Sequence, residues 1–105
     1  MSIRERIDQL LSKERDVVFV FKEDSNKILE LFVMGSEIAK GIRNVTYYPK
    51  HGIAELVFPR EKLDDVLNIL EYNNINEFEI VKRDTFYPTV VRVNLRASVL
   101  GYIIK

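Results

Sequence analysis

The residue best suited to acid–base chemistry in this chain is its single histidine, His51. It lies in the segment Pro49-Lys50-His51-Gly52, whose proline and glycine indicate a turn between two apolar runs. A histidine acts as a general base only when a second group orients it within a pocket. The sequence places no such group beside His51, so we expect an exposed turn histidine, no catalytic residue and no enzymatic activity.

The remaining residue types do not indicate a metal or cofactor site. The chain has no cysteine, which excludes disulfides, thiolate nucleophiles and thiolate metal ligands. The acidic pair Asp64-Asp65 comes near a predicted helix start, where the helix dipole favours carboxylates. The four glycines are isolated, so no glycine-rich phosphate-binding loop is present. We therefore predict neither a metal nor a cofactor.

Adjacent tyrosines and basic residues could bind nucleic acid or an acidic partner. Tyr47 and Tyr48 end a strand-like run and are followed closely by Lys50 and His51. Nucleic-acid bases stack on exposed aromatic rings. Neighbouring strand residues point to opposite faces, so at most one tyrosine belongs to such a surface and the other is expected in the core.

The C-terminal part of the chain is basic. Residues 82–105 hold five basic residues and one acidic residue, whereas the whole chain has no net charge. Arg92 and Arg96 belong to a strand-like segment whose alternate residues are apolar: Val91, Val93 and Leu95. The two arginines are candidate contacts for phosphates or for an acidic partner. Alternatively, they keep an edge strand from pairing with other chains.

The composition is that of an ordinary globular protein. The 105 residues are 47% hydrophobic and 30% charged, which fits one domain over 1–105 with a single core. No apolar run approaches the roughly 20 residues that cross a bilayer, and the N-terminus lacks the uninterrupted apolar core of a signal peptide. We therefore expect a cytoplasmic protein without membrane contact.

Two hydrophobic periodicities alternate along the chain and predict its fold class. Four segments are typical of strands and two have helical spacing between them, in this order: Val17–Phe21, helix 28–42, Val45–Tyr48, Ile53–Phe58, helix 63–70 and Phe78–Val81. The order β-α-β-β-α-β is that of the ferredoxin-like, or split βαβ, sandwich. We predict an α+β fold of this type, with an added N-terminal helix and an extra C-terminal strand.

The run Val17–Phe21 is apolar on both faces, which is typical of a strand buried on two sides. Two helices would cover one face, so the other needs the N-terminal helix, the C-terminal segment or another subunit. We therefore predict a homodimer. The N-terminal helix either contributes to the partner surface or packs over an open flank of its own domain. The candidate partner surface consists of apolar residues from both ends of the chain: Ile3, Ile7, Leu10, Leu11, Val99, Tyr102 and Ile104.

Three functions follow from these features. The first is a non-catalytic protein-interaction or regulatory module that associates with itself or another protein. The second is RNA or DNA binding through a sheet tyrosine and the basic residues; the topology resembles that of RNA-recognition domains, with IAELVF at 53–58 in place of their glycine- and aromatic-rich motif. The topology is also similar to ACT-type regulatory domains, and that resemblance implies a small-ligand sensor.

Overall fold

A computed structural model describes residues 2–34, 40–83 and 88–97 in full, and 101–104 as backbone. The described chain contains both α-helices and β-strands. The α-helices are α1 (Ile3–Leu10), α2 (Ser25–Leu29) and α3 (Leu63–Tyr72), with a π-helical turn at Glu30–Met34 and a 3-10 turn at Arg60–Lys62. The strands are β1 (Asp16–Phe21), β2 (Asn44–Tyr48), β3 (Ile53–Pro59), β4 (Glu77–Lys82), β5 (Thr89–Asn94) and β6 (Gly101–Ile104).

The strands form one antiparallel sheet in the order β2-β3-β1-β4-β5-β6. β1 lies inside the sheet, where Val18 is paired with Val57 of β3 and with Val81 of β4. The expectation of an α+β fold is confirmed. The hairpin between β2 and β3 is closed by the His51 amide, which donates to the Tyr48 carbonyl over 3.1 Å, and Gly52 adopts φ 64° in its turn.

The hydrophobic core lies between one face of the sheet and the helices. β1 contributes Val17, Phe19 and Phe21, none more than 1% exposed. The Phe19 ring lies 6.0 Å from that of Phe58 and 5.7 Å from that of Phe78, measured between centroids. Buried residues of α1, α2 and α3 belong to the same cluster as these rings. The described helices therefore all pack on this one face of the sheet.

Helix α1 packs on its own domain. Ile7 and Leu11 are fully buried in the core, and Ile3 and Leu10 pack against it. The hypothesis that this helix offers Ile7 and Leu11 to a partner is therefore wrong, because their side chains already contact the helix-covered face of the sheet. Polar contacts hold α1 in place from outside: Arg4 donates to Asn68 of α3 over 2.8 Å, and Arg60 donates to Asp8 over 2.7 Å.

The N-terminus of α1 is capped by Ser2, the residue before the helix. The Ser2 hydroxyl accepts the Glu5 amide over 3.2 Å and donates to the Glu5 carboxylate. We expect Ser2→Ala to lower the free energy of unfolding by about 1 kcal/mol, since a helix-start amide loses its acceptor. Urea denaturation measures this loss. Ser12→Ala, at an exposed serine beyond the helix, is the control, and equal midpoints for the two variants would contradict the assignment.

The second helix differs from the prediction. Helical spacing was expected over 28–42, but α2 ends at Leu29 and continues as the π-helical turn. Ile28 and Phe32 are both fully buried, whereas Met34 is 79% exposed. The two buried side chains are four residues apart, so both lie on the helix face that packs against the sheet. Residues 35–39 lie outside the described part.

The C-terminal segment extends the sheet. The predicted extra strand is confirmed as β5, and the tail pairs with it through β6, where Val91 is in register with Tyr102. Strand β5 ends at Asn94, so Leu95 and Arg96 lie in the turn that follows. Val99 lies outside the described residues, and Tyr102 and Ile104 are described only by the strand backbone.

Candidate functional site

The sheet face opposite the helices, which we call the open face, carries a strip of apolar side chains across three central strands. This apolar strip consists of Val18 and Val20 from β1, Ile53 and Val57 from β3, and Val81 from β4. Strand alternation places these residues there, because their neighbours along each strand point into the core. In the described chain no helix residue joins the strip, since the buried helix residues all cluster on the other face.

The strip is only partly protected from water. Val18 is 5% exposed, while Val20, Ile53, Val57 and Val81 are partly exposed. The sequence predicts burial of both flanks of Val17–Phe21, and this holds for every residue of the run except Val20. The N-terminal helix was one candidate cover for this face, and that expectation is wrong because α1 packs on the opposite side.

Charged side chains of both signs flank the apolar strip. The Lys22 ammonium lies 3.1 Å from the Glu79 carboxylate, and the Arg92 guanidinium approaches the same carboxylate from 3.9 Å. The Arg83 guanidinium lies 3.4 Å from the Glu55 carboxylate. Glu79 is the unusual member, since its side chain is 10% exposed although its cationic partners are largely solvated. Cations and carboxylates thus alternate across the open face.

A shallow cavity of about 540 Å³ lies over this surface. Its floor includes Val20, Ile53 and Val81, and Tyr48 and His51 stand at its rim beside the β2–β3 turn. A volume between roughly 300 and 1,000 Å³ is typical of small-molecule pockets. Here the charged lining is already arranged in the pairs Lys22–Glu79 and Arg83–Glu55, so a ligand would have to compete with existing ion pairs.

The structure separates the two predicted tyrosines. They point to opposite faces, as expected: Tyr48 lies on the open face, in register with Ile53, and is 45% exposed. Tyr47 is on the helix side, but it does not enter the core as predicted. It stays 37% exposed at the edge of the sheet, with its hydroxyl 3.5 Å from the Asn26 side chain. Lys50 and His51 are exposed in the adjoining turn.

Arg92 and Arg96 do not share a strand face, and the prediction that they project together is wrong. Arg92 lies on the open face near Glu79. The strand has ended before Arg96, whose amide donates to the Asn94 side chain over 2.9 Å. Arg96 instead lines a separate cavity of about 280 Å³, together with Asn74 and Glu77. Alternation along a sequence holds only while the strand continues.

Sequence reasoning did not select Lys22, Glu55, Glu79 and Arg83, which flank the apolar strip. A signal was present for two of them. Lys22 directly follows the apolar run 17–21, and Glu79 interrupts the apolar residues Phe78 and Ile80. Their contact joins β1 to β4, which are more than 50 residues apart in the sequence, so only the pairing of these strands brings the two charges together.

Neither residue clusters nor relatives identify a known activity. Among the described residues, no group of three or more His, Cys, Asp or Glu side chains is placed to hold a metal ion. No helix in the same residues is long and apolar enough to span a membrane. The chain matches no protein-family model, and comparisons with curated proteins and with solved structures give no match either.

Proposed function

We propose that this protein is a non-catalytic protein-interaction or regulatory module that binds its partner through the open face. The observation that carries this proposal is the apolar strip, whose side chains face away from the core and, apart from the buried Val18, remain partly exposed. Contiguous apolar surface rimmed by polar residues marks interaction sites on proteins. The paired charges on both sides of the strip provide such a rim.

The fold proposed for this module is ferredoxin-like. Its support is the order β2-β3-β1-β4 with antiparallel pairing throughout, in a chain whose elements alternate as β-α-β-β-α-β from Asp16 onward. Helix α1 and strands β5 and β6 are additions to that unit. This fold serves many unrelated functions, so the proposed function rests on the surface alone.

The charges of the open face favour a protein partner over nucleic acid. Glu55 and Glu79 lie on either side of Val20, in register with it. Phosphate groups approaching Tyr48 across this face would meet both carboxylates, and that repulsion opposes the attraction of Lys22 and Arg83. A protein surface can supply both signs of charge together with apolar side chains.

Site-specific photocrosslinking at Tyr48 tests the proposed function. A benzophenone amino acid replaces Tyr48 in the full chain, which is irradiated pure at high concentration and in an extract of its native cells. We expect a discrete covalent adduct, with a second copy or another protein, because the side chain lies at the rim of the proposed surface. Mass spectrometry identifies the crosslinked residues.

The matched control carries the same group at Tyr72, which is 88% exposed on α3 and belongs to the helix layer. The proposal fails if no adduct forms at position 48, or if positions 48 and 72 give the same adducts. It also fails in favour of nucleic-acid binding if labelled single-stranded RNA binds at low salt and Tyr48→Ala abolishes that binding.

A further inference from the structure

The partly exposed apolar strip needs a flat, apolar partner surface. The strip crosses β3, β1 and β4, and it ends at Val90 of the next strand, which is in register with Val81 but only 1% exposed. Removing apolar surface from water contributes about 25 cal/mol for each Å². A second sheet can meet such a face at a spacing of about 10 Å, with side chains of the two faces interdigitated.

The charges on the open face indicate what kind of sheet can pack against it. Around Val20, the open face has Lys22 and Arg83 as cations and Glu55 and Glu79 as anions. In a two-fold dimer the same patch meets itself, so a face of one charge would repel its copy. A face with both signs around an apolar centre is self-complementary, because rotation can bring cations of one copy to carboxylates of the other.

The size of the face decides whether two copies can form a specific interface. Five strands, β2 to β5 in sheet order, span about 20 Å at about 4.8 Å per strand, and six residues of strand span about 20 Å. This is roughly 400 Å² of flat area per copy, and side-chain relief brings two copies near the roughly 1,000 Å² that a specific interface needs. Association should therefore depend on concentration.

Resting on the proposed function, we propose that the partner is a second copy of this chain, bound open face to open face in a two-fold, sheet-on-sheet dimer. Val20 and Val57 of the two copies meet at its centre. Tyr48 of each copy lies at its edge. The 540 Å³ cavity becomes enclosed between the protomers.

Sedimentation velocity of the full chain from low to high micromolar concentration tests the dimer. We expect a shift toward twice the 12.3 kDa chain mass. Val20→Lys should raise the dissociation constant about tenfold or more, since a lysine would be buried at the interface. The monomer should tolerate this lysine, because Glu55 and Glu79 lie beside position 20.

Val33→Lys is the matched control, because Val33 is 41% exposed and belongs to the π-helical turn, which lies in the helix layer with the buried Phe32. It should leave association unchanged. If circular dichroism shows that Val20→Lys does not fold, Tyr48→Glu replaces it, with Tyr72→Glu as control. Both tyrosines are exposed, so these variants should fold.

A chain that sediments as a monomer throughout overturns the inference, and so does a dimer that both open-face variants leave intact. The first result, combined with a hetero-adduct specific to position 48, leaves the proposed function standing with a different partner. A monomer without any adduct at position 48 removes both. A dimer weakened by the open-face variants alone supports both.

Discussion

Replacing Phe19 with alanine is expected to lower the free energy of unfolding by about 3–5 kcal/mol, because the change leaves a cavity at the centre of the core. The Phe19 side chain is fully buried, and its ring lies within about 6 Å of the rings of Phe21, Phe58 and Phe78. Phe21 belongs to the same strand, β1, whereas Phe58 belongs to β3 and Phe78 to β4. Loss of the ring therefore weakens the packing of three adjacent strands at once.

Thermal and urea denaturation measure this effect. A domain of this size loses roughly 4–8 °C in Tm for each kcal/mol, so the variant should melt more than about 12 °C below the parent. Phe19→Leu, which retains most of the side-chain volume, should cost less than about 1.5 kcal/mol. Tyr72→Ala, at an exposed aromatic residue, should change stability by no more than about 0.5 kcal/mol. If Phe19→Ala and Tyr72→Ala lose the same unfolding free energy, packing of the Phe19 ring is not what stabilises the core.

The second large effect concerns the carboxylate of Glu79. Its side chain is 10% exposed, and its partners Lys22 and Arg92 are 55% and 68% exposed. Removing both cations by Lys22→Met and Arg92→Met leaves a nearly buried charge without compensation. We expect the double variant to lose about 1–3 kcal/mol of unfolding free energy, because a nearly buried carboxylate loses both of its solvent-exposed partners.

Replacing the carboxylate itself should cost much less. Glu79→Leu leaves two solvated cations and adds an apolar side chain beside Val20, which is close to neutral for buried pairs replaced by apolar residues. Adding Glu79→Leu to the double variant should restore most of its stability. Urea denaturation of the parent, Glu79→Leu, the double variant and the triple variant gives the coupling energy between the carboxylate and its two cations.

Arg43→Met is the control for removal of a salt bridge as such. Arg43 contacts Asp16 at 2.6 Å, and both side chains are at least a third exposed. A pair of this kind contributes about 0–1 kcal/mol. If Glu79→Leu alone destabilises the protein as much as the loss of both cations, burial of the carboxylate is not the cause of the difference.

Glu79→Leu also bears on self-association. It extends the apolar strip and removes a carboxylate that a second copy would pair with a cation. The dimer proposal therefore expects this variant to associate with altered salt dependence, because ion pairs across a partly solvated interface weaken with ionic strength. Sedimentation at low and high salt measures how association depends on salt in the variant and in the parent. If the two proteins show the same dependence, Glu79 takes no part in the interface.

Local periodicity was sufficient for the order and identity of most elements. The prediction of a helix over 63–70 agrees with α3, and the predicted strand Ile53–Phe58 agrees with β3. Asn74, just after the end of α3, has φ 59°, a left-handed conformation that asparagine tolerates. These features depend on residues close together in the sequence, so propensity and spacing carry the information.

The candidate site was only partly predictable. The turn around His51 follows from its proline and glycine. The opposite orientation of Tyr47 and Tyr48 follows from strand alternation. The grouping of Arg92 with Arg96 failed because β5 ends at Asn94. The end of a strand depends on when its neighbour stops pairing with it, and this is not visible in the strand's own residues.

What the sequence by itself determined is the local character of each segment, including the two apolar faces of Val17–Phe21. Only the tertiary structure decided that α1 joins the other helices on one face and that Lys22 meets Glu79 across β1 and β4. The physical reason is the separation in sequence between the residues that interact. A periodic pattern records which side of a segment avoids water, whereas the surface that covers that side is set by the packing of segments distant in the chain.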